Sequence, residues 1–531
     1  MPELKKNSIH TITIDRYASD GQGIGRLDGM AVFVRGALRG ETCQVSLMKV
    51  GKSCAWARVV KILEKSPARI PSDCPHFPVC GGCTLRHMTY EEELFLKRQR
   101  IDDALQRIGG LDLSVSQMYG AKDTQRYRNK AAFPVSQDHK TGVKVGSCLL
   151  QSDIADKAGR VVRKWMHKYA VPAYDERTGE GLIRHVFVRT NRKRQSLICV
   201  VANAKALPFE KELAKALTAA CPKAVGVVLN VNTRKTNVIL GRDYRVLWGR
   251  DTLEDRLCGL TFQLSIPSFF QVNRDQAEVL YNCALEFAGL TGQETVVDLY
   301  CGTGTISLVM AQQAKHVIGA EIVPPAIEDA WENARKNGVT NVEFICADAS
   351  KAAADLEQRG IRPDVVCVDP PRKGLAPDVI DSICAMAPSR VVYVSCDPAT
   401  LARDLKQFTQ LGYRAEQAVG VDLFCRTSHV ETVCLLSKLN AKQHIEINLD
   451  MDELDLTDAE KKATYQEIKD YVLEHSGLKV NSLYIAQVKQ KCGIIERENY
   501  NKPKSEDAKQ PQCPPDKEKA IKEALTHFGM I

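Results

Sequence analysis

The chain has 531 residues, 44% hydrophobic and 26% charged, with a formal net charge of +8. That length exceeds what one core serves, so three or four globular domains are expected. The 19 cysteines are scattered through strand- and helix-like segments, no apolar run nears the roughly 20 residues of a membrane-spanning helix, and the N-terminus lacks a signal-peptide core, so a cytoplasmic, monomeric protein with free thiols and no membrane role is expected.

Residues 8–62 alternate short β-rich runs (HTITIDRY, ASDGQGIGRLDGM, AVFVRGAL, RGETCQVSLMKV, CAWARVVKIL) with glycine turns. Five strands at this spacing predict a small barrel of the oligonucleotide-binding type, with a generic SH3-like barrel as the alternative. The run Asp20-Gly21-Gln22-Gly23-Ile24-Gly25, with Val32-Phe33-Val34 and Gly40-Glu41, resembles a TRAM domain, an RNA-binding barrel. Residues 1–70 carry 12 Lys+Arg against 6 Asp+Glu. Arg26, Arg35, Arg39, Lys49 and Lys52 are candidates for phosphate contacts, though a basic solvated face explains the same charge.

Cys74, Cys80 and Cys83 follow, spaced by five and two residues, with Gly81 and Gly82 allowing a tight turn. Thiols so placed predict a metal site; zinc and an iron–sulfur cluster both suit thiolates. A fourth ligand is needed. Cys148 is the candidate and His76 the alternative. The segment YEEELFLKRQRIDDALQRIGGL reads as a helix with Lys97, Arg98 and Arg100 on its polar side. Two antiparallel hairpins are expected within 181–249, bearing Arg184, His185, Arg189, Arg192, Lys193 and Arg194 on a wet face that either holds a nucleic-acid strand or is merely solvated.

Near residue 260 the pattern changes to alternating strands and helices, the mark of a doubly wound parallel sheet. The loop from Asp298 to Thr305, DLYCGTGT, puts glycines where a ligand approaches backbone amides at a helix start. Glu321, ending the second strand, suits two ribose hydroxyls, and Asp348, ending the third, suits an adenine amine. With Asp369-Pro370-Pro371 on the fourth strand these suggest S-adenosylmethionine. The unit from Asp364 to Asp404 is strand, helix, strand, so Asp369-Pro370-Pro371-Arg372 and Ser395-Cys396-Asp397-Pro398 should face one site at the strand ends. Cys396 is either a small buried hydrophobe or a nucleophile on a functional loop. Glu431 opens the final strand; if that strand runs antiparallel to its neighbour, Glu431 lies beside Cys396. Beyond 440, Thr457-Asp458-Ala459-Glu460 is a capping box for a helix to His475. NSLYIAQVKQKCG is a second helix in a helix-turn-helix-like tail, followed by a linker and a last short helix.

Taken together, SFFQVN, DLYCGTGT, DPPRKG, VSCDPATLARD and HVETV, in this order, resemble the RNA (uracil-5)-methyltransferase family over residues 1 to about 440. The resemblance implies Cys396 as nucleophile, Glu431 as general base, and Gln271, Tyr300, Glu321, Asp369 and, less directly, Asp348 as S-adenosylmethionine contacts. Its subgroup with a TRAM domain implies a [4Fe-4S] cluster on Cys74, Cys80, Cys83 and Cys148, and 23S ribosomal RNA as partner, with tRNA the alternative. The expected organisation is a multidomain α/β chain: an OB-like barrel (1–66), a central α+β domain for cluster and RNA (67–260), a Rossmann-like class I methyltransferase domain (261–440) and a helical extension (441–531). A methyltransferase of protein or DNA, and a non-catalytic RNA-binding protein, are the rival readings. Retention of both Cys396 and Glu431 argues against each.

Overall fold

A computed structural model describes residues 4–135, 147–439, 465–492, 513–528 and 530. The chain forms two compact units, Met1–Asn440 and Ala441–Ile531.

The first unit opens with β1 (Ile9–Tyr17), β2 (Gly23–Leu27), β3 (Met30–Arg35), β4 (Thr42–Val50) and β5 (Cys54–Glu64), which close into a barrel in the order β1-β2-β3-β5-β4. Alternate residues such as Ile12, Ile14, Val32, Val34, Val45 and Leu47 fill its interior. Glu41 is fully buried: its carboxylate accepts hydrogen bonds from the Leu38 amide and from Arg69, which joins the barrel to the cysteine segment.

Next come α1 (Tyr90–Arg107), β6 (Val115–Tyr119), β7 (Lys130–Pro134), α2 (Asp153–Lys168), β8 (Ile183–Thr190), β9 (Ser196–Ala202), α3 (Glu210–Ala220), β10 (Ala224–Val231), β11 (Asp243–Gly249), β12 (Thr252–Leu257) and β13 (Leu260–Ser265). A five-stranded sheet runs β11-β10-β9-β8-β7; the hairpins β8–β9 and β10–β11 are antiparallel, and β9 pairs parallel with β10. The wet face expected for this sheet is absent from β8 and β9. Helices α2 and α3 cover one side, while Leu253 and Ile266 pack on the other. Arg184 and Arg189 are buried because backbone carbonyls satisfy them: Asn232 and Arg234 accept from Arg184, Ile266 and Ser268 from Arg189. In the β8–β9 turn, Arg192 pairs with Asp275 and Glu278, and Arg194 with Asp153.

The remainder is α4 (Arg274–Ala288), β14 (Thr295–Asp298), α5 (Thr305–Ala311), β15 (His316–Glu321), α6 (Pro324–Lys336), β16 (Val342–Cys346), α7 (Ala349–Gln358), β17 (Val365–Val368), α8 (Pro377–Met386), β18 (Arg390–Ser395), α9 (Pro398–Gln410), β19 (Tyr413–Val421) and β20 (Glu431–Lys438). An eight-stranded sheet runs β16-β15-β14-β17-β18-β20-β19-β6. Its first five strands are parallel, which requires helical crossovers and so buries both faces; the strand cores read VVD, VVCV and VVYV accordingly. β20 runs antiparallel to β18, and β6, drawn from before residue 260, adds the far edge beside β19. Ile101, Leu105 and Val115 therefore share a core with Val366, Val391 and Leu405.

The second unit contains α10 (Tyr465–Ser476), α11 (Ser482–Lys491) and α12 (Pro515–His527) around Ile468, Val472, Ile485, Val488, Ile521 and Leu525. Both the capping box at Thr457 and most of the expected linker lie outside the described residues.

Candidate active site

β18 ends at Ser395, and the chain turns sharply into α9. Asp397 caps that helix by accepting from the Ala399 and Thr400 amides at 3.0 and 3.2 Å, and Pro398 starts it with a preset φ. Cys396, between strand and cap, is left half-buried at the carboxyl edge of the sheet. Ser395 pairs across with Thr432 of antiparallel β20, so one further step of the register sets Glu431 beside Cys396. Glu431 is 3% exposed. Asp369, just past the end of β17, joins them.

Burial dominates the electrostatics. It pushes Glu431 up to about 8, with the Asp369 carboxyl adding and Arg372 opposing. Asp369 rises to about 7 through burial and then Asp298. Asp298, at the end of β14, rises to about 6 although Ser307 Oγ donates to it at 2.6 Å. The Cys396 thiol is raised to about 11 by burial, then by Glu431 and Asp369, with Arg372 pulling the other way. Carboxyls stacked in one low-dielectric cleft cannot all ionise together. The result is a protonated thiol beside a carboxyl that exchanges its proton near neutral pH, the pairing that nucleophilic and general-base chemistry requires.

The other side of the cleft lies around the β14–α5 loop. Gly302 and Gly304 have φ of +55° and +79°, which favour glycine. A Cβ on Gly304 would stand 3.1 Å from Ala330 and Phe344, whereas one on Gly302 would meet nothing, leaving that backbone open to a ligand. Glu321 accepts from the Gly302 amide at 3.3 Å and the Val323 amide at 2.9 Å. Tyr300 is half-buried and its phenol raised to about 12, first by burial and then by Asp348. Asp348 is exposed and caps α7 through the Ser350 amide at 3.1 Å, so one of its oxygens is already engaged. Gln271 is 6% exposed. Its carbonyl accepts from Asn129 at 2.7 Å and its side-chain amide meets the buried Tyr281 hydroxyl, which lies 3.3 Å from Thr305 Oγ1 and in the field of Asp369. The structure thus gathers Cys396, Glu431, Asp369, Gln271, Glu321 and Tyr300 about one end of the sheet. Asp348 stands at its rim.

Cys74, Cys80 and Cys83 lie on an irregular segment before α1, and Cys148 precedes α2; Cys80 is exposed and the others half-buried. Burial raises the Cys83 thiol, Arg86 opposes it, and Cys148 and Cys74 add to the rise, so three of the four thiols share one field. Arg86 Nε donates to Cys83 Sγ at 3.3 Å. His76 accepts, through its carbonyl, from the Cys80 amide at 2.9 Å. Among the described residues, no three His, Cys, Asp or Glu side chains gather closely enough to hold a single metal ion. Thiols are the donor type that soft metal centres take.

Two side chains of α1 reach further than helical periodicity indicates. Arg100 donates to Ser428 O at 2.7 Å and approaches Asp397 at 3.4 Å, and it lies in the field of Cys396. Lys97, expected on the polar side, is 0% exposed: it pairs with Glu93 at 2.7 Å and Asp422 at 2.6 Å. Arg100 and Asp397 are 297 residues apart, and no local pattern carries that contact. An Asp or Glu four residues before a Lys, as at Glu93, was the one available sign for Lys97.

A tRNA (Uracil-5-)-methyltransferase family model matches residues 89–439, and a TRAM domain model matches 3–60. An uncharacterized RNA methyltransferase of Clostridium tetani is 43% identical over 454 residues, 83% of this chain and 98% of its own. One from Clostridium acetobutylicum is 41% identical over 453 residues, covering 82% of this chain and 98% of its own. Among solved structures, the tRNA (uracil-54, C5)-methyltransferase of Pyrococcus abyssi in complex with S-adenosyl-L-homocysteine is 25% identical with a TM-score of 0.65; the match covers 80% of this chain and 100% of that one. No described helix is long and apolar enough to cross a membrane.

Proposed function

Because the chain belongs to the tRNA (Uracil-5-)-methyltransferase family, and is thereby an S-adenosylmethionine-dependent RNA uracil-5-methyltransferase, we propose that it methylates a uridine of 23S ribosomal RNA through a covalent adduct of Cys396 with carbon 6 of the base. The observation that carries the mechanism is the β18–β20 register, which sets Cys396 beside Glu431 in the field of Asp369.

Carbon 5 of uracil is too weak a nucleophile to take a methyl group from a sulfonium unaided. The Cys396 thiol gives its proton to solvent, the thiolate adds to carbon 6, and the electron pair moves to carbon 5 as an enolate, whose charge Arg372 offsets. Gln271, Tyr300, Glu321, Asp348 and Asp369 would hold S-adenosylmethionine, whose S–CH3 bond would break as carbon 5 takes the methyl group, with S-adenosylhomocysteine as the leaving group. Carbon 5 then bears both the methyl group and its original proton. Glu431, ionised, takes that proton; the C5–H pair re-forms the C5=C6 bond, the C6–S bond breaks and the thiolate is returned. The base has to leave its stack to reach this cleft, which suits an RNA loop with the barrel as a holder.

Cys74, Cys80, Cys83 and Cys148 are read as the ligands of a [4Fe-4S] cluster. It would brace a segment that has no helix or strand of its own. Acid-labile sulfide and a visible thiolate-to-iron band in anaerobically purified protein, both lost in Cys83→Ala, test this assignment.

The likeness to the P. abyssi enzyme favours the second reading, a tRNA substrate. Anaerobic incubation with methyl-tritiated S-adenosylmethionine and unmodified 23S ribosomal RNA or tRNA separates the two. Label in 5-methyluridine of the ribosomal RNA, with wild type but not Cys396→Ala, is the expected result. Label in tRNA alone moves the substrate there, and label in neither removes the proposal.

A further inference from the structure

Between β19 and β20 the chain crosses from Asp422 to Val430 without regular structure and arrives directly at Glu431. Strand pairing fixes Glu431 from the sheet side, and whatever holds this strap fixes the chain that enters it. The strap's polar groups are tied, one after another, to the segment that follows the cysteines. The Thr84 and Leu85 amides both donate to Arg426 O, at 2.9 and 3.2 Å, and the Ser428 amide donates to Thr84 Oγ1 at 3.2 Å. From α1, Glu93 Oε1 accepts from the Arg426 amide at 2.6 Å, Lys97 Nζ donates to Phe424 O at 3.3 Å, Tyr90 donates to Asp422 Oδ2 at 2.7 Å, and Arg100 reaches Ser428 O. Arg426 itself has a φ of +68°, a backbone state that a non-glycine residue keeps when its surroundings impose it.

The charges at this junction are costly. Glu93, Lys97 and Asp422 are all fully buried, with Arg426 beside Glu93 at 3.5 Å. Buried ion pairs contribute little net stability, and an apolar cluster of the same volume does as well or better. Their directional bonds do something an apolar cluster cannot: they fix where each strap carbonyl and amide points.

We propose that Thr84 is a positioning residue for Glu431: the hydrogen bond from the Ser428 amide to Thr84 Oγ1, beside that from Arg100 to Ser428 O, sets the last turn of the strap, and with it the carboxylate that takes the C5 proton. The residue immediately after the third cysteine would thereby control proton removal from the methylated base. This inference rests on the Cys396 adduct mechanism above. It predicts a selective defect. Addition of Cys396 and methyl transfer proceed, while release slows.

The test compares wild type, Thr84→Val, Thr84→Ser and Glu431→Gln, all as full-length protein, with methyl-labelled cofactor and the RNA that wild type methylates. Valine keeps the shape and removes the acceptor; serine keeps the acceptor. The expected result is a methyl-labelled protein–RNA adduct, stable to denaturing electrophoresis, that accumulates in Thr84→Val and more strongly in Glu431→Gln. Turnover of Thr84→Val should fall about tenfold, within the range a small misplacement of a catalytic group costs, with KM for both substrates unchanged and Thr84→Ser close to wild type. Thr84→Val turning over like wild type would overturn the inference, as would loss of adduct together with turnover, or failure of serine to restore release. If Glu431→Gln also forms no adduct while wild type still methylates, the fault lies in the underlying mechanism instead.

Discussion

Glu431 can remove a carbon-bound proton at neutral pH only if its basicity is well above that of an ordinary carboxylate, and burial in the cleft, reinforced by Asp369, raises it to about 8. Turnover is therefore expected to climb with pH through about 8, as the base ionises, and to keep climbing more gently as the Cys396 thiol, raised to about 11, yields more thiolate. A pH profile of adduct release, or of steady-state turnover, falling from pH 6 to 9 would contradict this assignment of the base. Arg372→Met, which removes the cation opposing both shifts, should move the profile further alkaline. The same shift has a stability consequence. A carboxyl whose folded pKa lies above its unfolded value of roughly 4.3 favours folding in its protonated form, so its contribution is full below that value and lost as pH rises to about 8. Glu431→Gln, which carries no such titration, should match wild type in thermal midpoint near pH 4 and exceed it above pH 8. Equal midpoints across that range would mean that the carboxylate is better solvated than its burial indicates.

At the scale of elements, the β18–α9 turn and the β14–α5 loop were legible because their signals are local. Each is a β-branched run ending in polar residues, followed by a capping or glycine motif, and each placed its side chains at the sheet edge where Cys396 and Gly302 are found. What local pattern could not carry was pairing at long range. β6 is a five-residue strand with mostly exposed or half-buried positions, so nothing in its own sequence announces that it edges the catalytic sheet. Lys97 looked solvated because a lysine usually is, and only the arrival of Asp422, 325 residues away, makes its burial tolerable. Arg184 and Arg189 were misplaced for a related reason: backbone carbonyls, which have no sequence signature, took the role of the expected solvent. These contacts can be probed separately. Lys97→Met should lower unfolding free energy by about 3–5 kcal/mol, the cost of leaving buried carboxylates unpaired, measured by denaturant titration. Gly304→Ala forces an alanine to φ +79° against Ala330 and Phe344, and should weaken S-adenosylmethionine binding about 5- to 30-fold by calorimetry, the equivalent of the 1–2 kcal/mol a left-handed residue costs.

At the scale of the whole molecule, the division at residue 440 decides what the reaction needs. The match to the methyltransferase family ends at residue 439, and the candidate site residues from Gln271 to Glu431 all belong to the first unit. The second unit has an apolar core of its own, in which Ile468, Val472, Ile485, Ile521 and Leu525 are fully or almost fully buried. Its sequence is acidic, with 17 Asp+Glu against 14 Lys+Arg over residues 441–531, which disfavours a large role in holding a polyanion. A chain ending at residue 440 should therefore fold, bind S-adenosylmethionine with unaltered affinity and methylate the same uridine with the same kcat. It should also show the same dependence of KM on salt as the full chain, since the candidate phosphate contacts, Arg26, Arg35, Arg39, Lys49 and Lys52, lie in the first unit. A shallower salt dependence in the shortened chain would instead place phosphate contacts on Lys479, Lys517 or their neighbours in the second unit, and would make the extension part of the RNA-binding surface in spite of its net charge.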